Sequence, residues 1–115
     1  MKTVLVVEDD FLIREMIQEA LEDAGYQVMV ASDADVAVTI LEVRQDIHLV
    51  FTDIEMPGSM DGLKLGAAVR DRWPPVHIIV TSGDERPPGL PADALFLSKP
   101  YGYLAVVAAI RTFGV

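Results

Sequence analysis

Along this chain the spacing of apolar residues switches repeatedly between the unbroken or alternating run of a strand and the three-and-four spacing of a helix. Thr3–Val7 reads as a strand, and Leu12–Ala24 follows with Ile13, Met16, Ile17, Ala20, Leu21 and Ala24 on one stripe, stopped by Gly25. Gln27–Ala31 is a second short strand, Ser32 or Asp33 can cap a helix running to about Gln45, and His48–Thr52 is a third strand. Asp61 can cap a helix to Trp73, which Pro74 and Pro75 end. His77–Thr81 and Ala94–Leu97 supply the fourth and fifth strands, and Tyr103–Thr112 closes the chain as a helix. Strands separated by helices require βαβ units, hence a parallel sheet with helices on both faces and right-handed crossovers. The expectation is one doubly wound α/β domain over residues 1–115, a usual single-domain length.

One segment breaks the rhythm. Between the fourth and fifth strands stands GDERPPGLPA, Gly83 to Ala92, with Pro87, Pro88 and Pro91. Proline lacks an amide hydrogen and pushes the residue before it out of helical geometry. Each one inside a helix costs about 3 kcal/mol. The helix due here is therefore expected to be short or irregular, with at most one turn near Ser82–Arg86 and otherwise a mobile loop.

Composition narrows the partners. Eighteen Asp and Glu against nine Lys and Arg leave a net charge of −9, which opposes long-range attraction to nucleic acid or anionic lipid. The absence of cysteine removes disulfides and thiolate zinc sites. The apolar start MKTVLVV runs into acids before a signal-peptide core can form, and no apolar stretch reaches membrane-spanning length, so a cytoplasmic setting is expected. Neither G-x-G-x-x-G nor G-x-x-x-x-G-K-[ST] occurs, which disfavours a dinucleotide or P-loop site.

In open parallel sheets the ligand site lies at the carboxyl ends of the strands. Strand one ends in Glu8, Asp9 and Asp10, strand three in Asp53, strand four in Thr81 and Ser82, and strand five in Ser98 and Lys99. Each has an ordinary explanation: acids on a solvated surface, an aspartate in a turn, a threonine in a strand, a lysine at the surface. Their joint arrival at one end of four successive strands is what singles them out.

The motifs VLVVEDD, FTDIEMPGSMDG, IIVTSG and FLSKPY occur in this order over essentially the whole chain. With them the sequence resembles the receiver domain of two-component response regulators. The resemblance implies a five-stranded sheet of flavodoxin-like order 2-1-3-4-5. It implies that Asp53 accepts a phosphoryl group, that Glu8, Asp9, Asp53 and the backbone carbonyl of Glu55 hold Mg²⁺, and that Lys99 and Thr81 stabilise the transferred group. Asp10 then starts the first helix. The chemistry is coherent: a carboxylate nucleophile meeting a phosphoryl group opposes two anions, and about 4 Å apart at an effective dielectric near 20 they repel by roughly 4 kcal/mol. A hard divalent cation, an ammonium and a hydroxyl offset that repulsion.

Three departures from the common pattern are visible. Glu8 stands where many receivers carry Asp, the turn MPGSMDG is one residue longer than usual, and Phe96 replaces a Tyr that many members use as a rotating switch. Thr81 and Phe96 are the switch positions by resemblance.

Two rival readings stay open. A phosphatase with an aspartyl-phosphate intermediate, of the haloacid-dehalogenase-like kind, would carry DxD at the first strand, whereas here the nucleophile candidate sits at the third, followed by Ile54 and Glu55, with no room for a capping domain. A pseudo-receiver would lack the acceptor, the lysine or the acidic pair, and all are present. The expectation is a stand-alone receiver that catalyses only its own phosphorylation and dephosphorylation. Its partners would be a sensor histidine kinase or histidine phosphotransfer protein and a downstream protein target, with Phe96 and Tyr101 as candidate contacts and a homodimer left open.

Overall fold

The computed structural model describes residues 1–58 and 60–115. In chain order its elements are β1 (Thr3–Val7), α1 (Phe11–Asp23), β2 (Gln27–Ala31), α2 (Ala34–Val43), β3 (Ile47–Asp53), α3 (Gly62–Arg72), β4 (His77–Ser82), β5 (Leu95–Ser98) and α4 (Tyr103–Arg111). All strand pairs are parallel, in the order β2-β1-β3-β4-β5. This is the expected flavodoxin-like doubly wound sheet.

Side-chain alternation divides the core in two. Val4 and Val6 of β1, Leu49 and Phe51 of β3 and Ile79 of β4 pack with Ile17, Leu21, Val106 and Ile110, so α1 and α4 cover that face. Leu5, Val7, Val50, Ile78 and Val80 pack with Leu41, Leu65 and Val69 on the opposite face, under α2 and α3. Covering both faces is why the inner strands read as continuous apolar runs rather than alternating ones.

Three aspartates start the first three helices. Asp10, Asp33 and Asp61 accept hydrogen bonds from the amides of Ile13, Val36 and Lys64 at 3.0, 2.9 and 2.9 Å. Each such cap contributes about 1 kcal/mol. Asp33, rather than Ser32, is thus the cap of α2.

Most boundaries fall within a residue of expectation, and two corrections have clear causes. β3 begins at Ile47, not His48, because Thr3 pairs with Ile47 while Val4 pairs with Leu49. His48 is the extra residue of that irregularity, and its Nδ1 accepts the Thr3 amide at 3.1 Å, supplying the acceptor that a regular ladder would have provided. α2 ends at Val43, short of Gln45, because Arg44 is extended (φ −106°, ψ 128°) and closes an ion pair of 2.5 Å with Asp46.

No helix forms between β4 and β5. The chain turns at Pro88–Gly89 and again at Ala92–Asp93, and Gly89 carries the positive φ of 90° that the first turn needs. Arginines tether this irregular path: Arg70 pairs with Asp93 at 2.6 Å, and both terminal nitrogens of Arg86 donate to the Ala94 carbonyl at 3.3 Å. Leu90 packs on the α2/α3 side of the core.

Candidate functional site

Backbone hydrogen bonds bind the carboxyl ends of the strands into one unit. The Ile54 amide donates to Thr81, and the Lys99 amide to Ser82, each at 2.9 Å. Gly62, the first residue of α3, donates to the Ile54 carbonyl at 2.9 Å. A Cβ on Gly62 would stand 2.0 Å from the Asp53 carbonyl oxygen, so only glycine lets α3 approach the end of β3 this closely.

The sequence candidates come together here. Glu8, Asp9 and Asp53 each offer a carboxylate oxygen, and these three atoms lie within 4.8 Å of one another. Glu8 and Asp53 are buried, whereas Asp9 is exposed. Lys99 Nζ donates to Asp53 Oδ2 at 2.7 Å. Thr81, in register with Asp53 across β3 and β4, is buried beside it. Among the described residues, Asp53 Oδ1 and Thr81 Oγ1 are buried atoms with no hydrogen-bond partner. Two such atoms in one acidic cleft mark a place prepared for a group from outside the chain, because an unpaired buried polar atom costs about 1–3 kcal/mol.

Electrostatics follow from the crowding. Burial, and then the neighbouring Asp9 and Asp53 carboxyls, push Glu8 up to about 7, against the Asp10 amide at 3.0 Å and the Lys99 charge. Burial also raises Asp53, with Glu55 adding to the effect and Lys99 opposing it. For Lys99, partial burial works downward, and the surrounding Asp53, Glu8 and Glu55 outweigh it, holding the ammonium above its ordinary value.

An oxygen-only donor set of three close carboxylates fits Mg²⁺, which takes hard oxygen ligands and tolerates few from protein. The unpartnered Asp53 Oδ1 agrees with this, since a ligand oxygen is left free by the surrounding protein. Asp10 faces its helix rather than the cluster, as its capping bond to Ile13 shows.

Some participants were not visible as such in the sequence. The Ser82 hydroxyl donates to Glu55 Oε1 at 2.5 Å and accepts the Asp84 amide at 3.1 Å. That bond first of all lowers the Glu55 pKa. Gly62 was legible only as part of Met-Asp-Gly. Tyr101 sets its ring edge-on to Phe51, with centroids 6.0 Å apart, beneath the site. Phe96 lies elsewhere: it is paired with Val80, on the α2/α3 face, and is half-buried. Of the lengthened turn, Ser59 lies outside the described residues.

Comparison with known proteins agrees with this geometry. The family model described as response regulator receiver domain matches residues 4–111. The transcriptional regulatory protein AruR of Pseudomonas aeruginosa is 42% identical over an alignment of 86 residues that covers 71% of this chain and 35% of AruR. The chain therefore spans about a third of that curated relative. The chemotaxis protein CheY4 of Vibrio cholerae superposes with a TM-score of 0.86 at 26% identity, covering 97% of this chain and 98% of that one. The response regulator TrrA of Thermotoga maritima, solved in complex with Mg²⁺-BeF, gives 0.86 at 27% identity with the same coverage of 97% and 98%. Four strand ends carrying acids, hydroxyl and lysine, on a sheet of this order and with this match, place the chain in the response regulator receiver domain family.

Proposed function

We propose that the protein is a phosphoacceptor that takes a phosphoryl group onto Asp53 from a phosphohistidine of a sensor histidine kinase or histidine phosphotransfer protein. The observation that carries this reading is the Asp53 carboxylate itself, held by Lys99 through one oxygen at 2.7 Å while its other oxygen is buried and unpaired. The carboxylate oxygen forms the new bond to phosphorus as the phosphorus–nitrogen bond to the donor imidazole breaks, and the departing ring keeps that electron pair. Lys99 meets charge on the transferred group, and the Thr81 hydroxyl donates to one of its oxygens. Glu8, Asp9, Asp53 and the Glu55 carbonyl would hold Mg²⁺. Bound there, the ion supplies the positive charge that lets one anion approach another.

Partner docking has an apolar surface to use. Phe11, Leu12, Ile13 and Met16 of α1 and Leu104 of α4 are exposed, and Ile13, Lys99, Pro100, Tyr101 and Tyr103 line a cavity of about 390 Å³ beside the site. A surface of this kind suits a protein partner better than a small molecule. Among the described residues no helix is long and apolar enough to cross a membrane.

Labelling with a small phosphodonor and Mg²⁺, followed by intact-mass analysis, tests the proposal. One phosphoryl group should be added to the parent protein and none to Asp53→Asn. Equal labelling of both would refute the assignment, and no labelling of the parent would favour the pseudo-receiver.

A further inference from the structure

The buried Thr81 hydroxyl has a neighbour that the role assigned to it leaves unused. Asp53, Thr81 and Leu97 form one row across β3, β4 and β5. Leu97 packs with the α1/α4 core, and so do Phe51 and Ile79, two residues earlier on β3 and β4. Alternation therefore sets Asp53 and Thr81 on that same face. Phe96, one residue off the row, belongs to the opposite face and carries no hydroxyl. Tyr101 is on the right face: it packs in the α1/α4 core cluster, its ring stands at 84° to Phe51, and its flank walls the cavity with Lys99 and Pro100.

We propose that Tyr101 is the positioning residue for Thr81: its phenol O–H donates to Thr81 Oγ1, turning the threonine's own O–H toward the phosphoryl oxygen on Asp53. The inference rests on the phosphoacceptor reading above. Thr81 Oγ1 has no partner in the present geometry and is free to accept that bond. A hydroxyl that donates to an anion becomes a better acceptor, and a donor behind it strengthens both bonds. Tyr101 suits the task because it stays protonated: burial first, then the Glu8 and Asp53 charges, push its phenol up to about 12, while its proximity to the Thr81 hydroxyl works the other way. A phosphoryl group would add negative charge nearby and hold the proton more firmly still.

Tyr101→Phe removes the hydroxyl and keeps the ring contact with Phe51. The test is a double-mutant cycle on the rate of Asp53 labelling by phosphoramidate with Mg²⁺, using Tyr101→Phe, Thr81→Ala, Thr81→Ser and the combinations, with melting temperatures alongside. Tyr101→Phe should slow labelling about three- to tenfold, the range of one neutral hydrogen bond. It should slow Thr81→Ser by a similar factor and add nothing to Thr81→Ala. A Tyr101→Phe rate within about twofold of the parent, while Thr81→Ala is slow, would overturn the inference and leave the functional reading intact. So would effects that simply multiply. A parent protein that does not label on Asp53 would end the functional reading and this inference together.

Discussion

Gly62 and Asp53 meet backbone to backbone: a Cβ on Gly62 would lie 2.0 Å from the Asp53 carbonyl oxygen and 2.8 Å from the Ile54 Cα. Neither contact is with a flexible side chain, so any substitution must move either α3 or the acceptor residue. Gly62→Ala is expected to destabilise the protein by about 1–3 kcal/mol, the range for forced overpacking. Labelling of Asp53 should slow at temperatures where the variant is still folded. Thermal denaturation together with labelling kinetics checks this, and an unchanged melting temperature with unchanged labelling would refute it.

Without metal, the acidic cluster should make stability fall as pH rises. The Glu8 carboxyl is raised from 4.5 to about 7, so its folded form holds a proton that the unfolded chain releases earlier. Its contribution is fully present below about 4.5 and is lost as pH climbs through about 7, an effect of up to ~3 kcal/mol. Glu8→Gln should flatten that part of the curve. Chemical denaturation at a series of pH values in a chelating buffer measures it. Stability that rises between pH 5 and 7 in the parent, and is unaltered in the variant, would contradict the prediction.

Mg²⁺ should restore what the carboxylate repulsion removes. At about ten times its dissociation constant a ligand bound only by the folded state adds roughly 1.4 kcal/mol, a few degrees of melting temperature at this size. The double variant Glu8→Gln/Asp9→Asn should be more stable than the parent without metal and indifferent to its addition. A parent melting curve that ignores Mg²⁺ would argue against the metal site.

The segment between β4 and β5 should exchange its amide hydrogens fast in the unphosphorylated protein. Among the described residues, the amides of Glu85, Arg86, Gly89 and Leu90 have no hydrogen-bond acceptor, while Asp84 and Ala94 at the flanks do. Local opening is cheap where few bonds must break. Asp93→Ala, which removes the pairing while leaving Arg70 on the Pro74 and Val76 carbonyls, should widen the fast region toward Ala94 with less than about 1 kcal/mol lost in global stability. Protection across Glu85–Leu90 equal to that of the helices would refute this.

Much of this was legible in the chain because it is local. Asp10, Asp33 and Asp61 bond to amides three residues on, and a cap followed by an apolar stripe is a short-range signal. The prolines at 87, 88 and 91 exclude a helix through their own backbone chemistry, whatever surrounds them. Where the signal was not local, the boundaries moved. β3 gained Ile47 because of its pairing with β1, and α2 lost Gln45 because Arg44 turned to Asp46.

Read without any coordinates, the chain yields the doubly wound class, an irregular segment where a fourth helix would stand, and the gathering of Glu8, Asp9, Asp53, Thr81 and Lys99 at one pole. Periodicity and strand ends are enough for that, once the strands are parallel. Which groups within that pole face one another emerges from the packing alone: Ser82 on Glu55, Gly62 against the Asp53 carbonyl, Tyr101 against Phe51 on the face that carries Thr81. Such choices depend on register and on which face a residue occupies, and a shift of a single residue reverses the face without changing the composition of the strand.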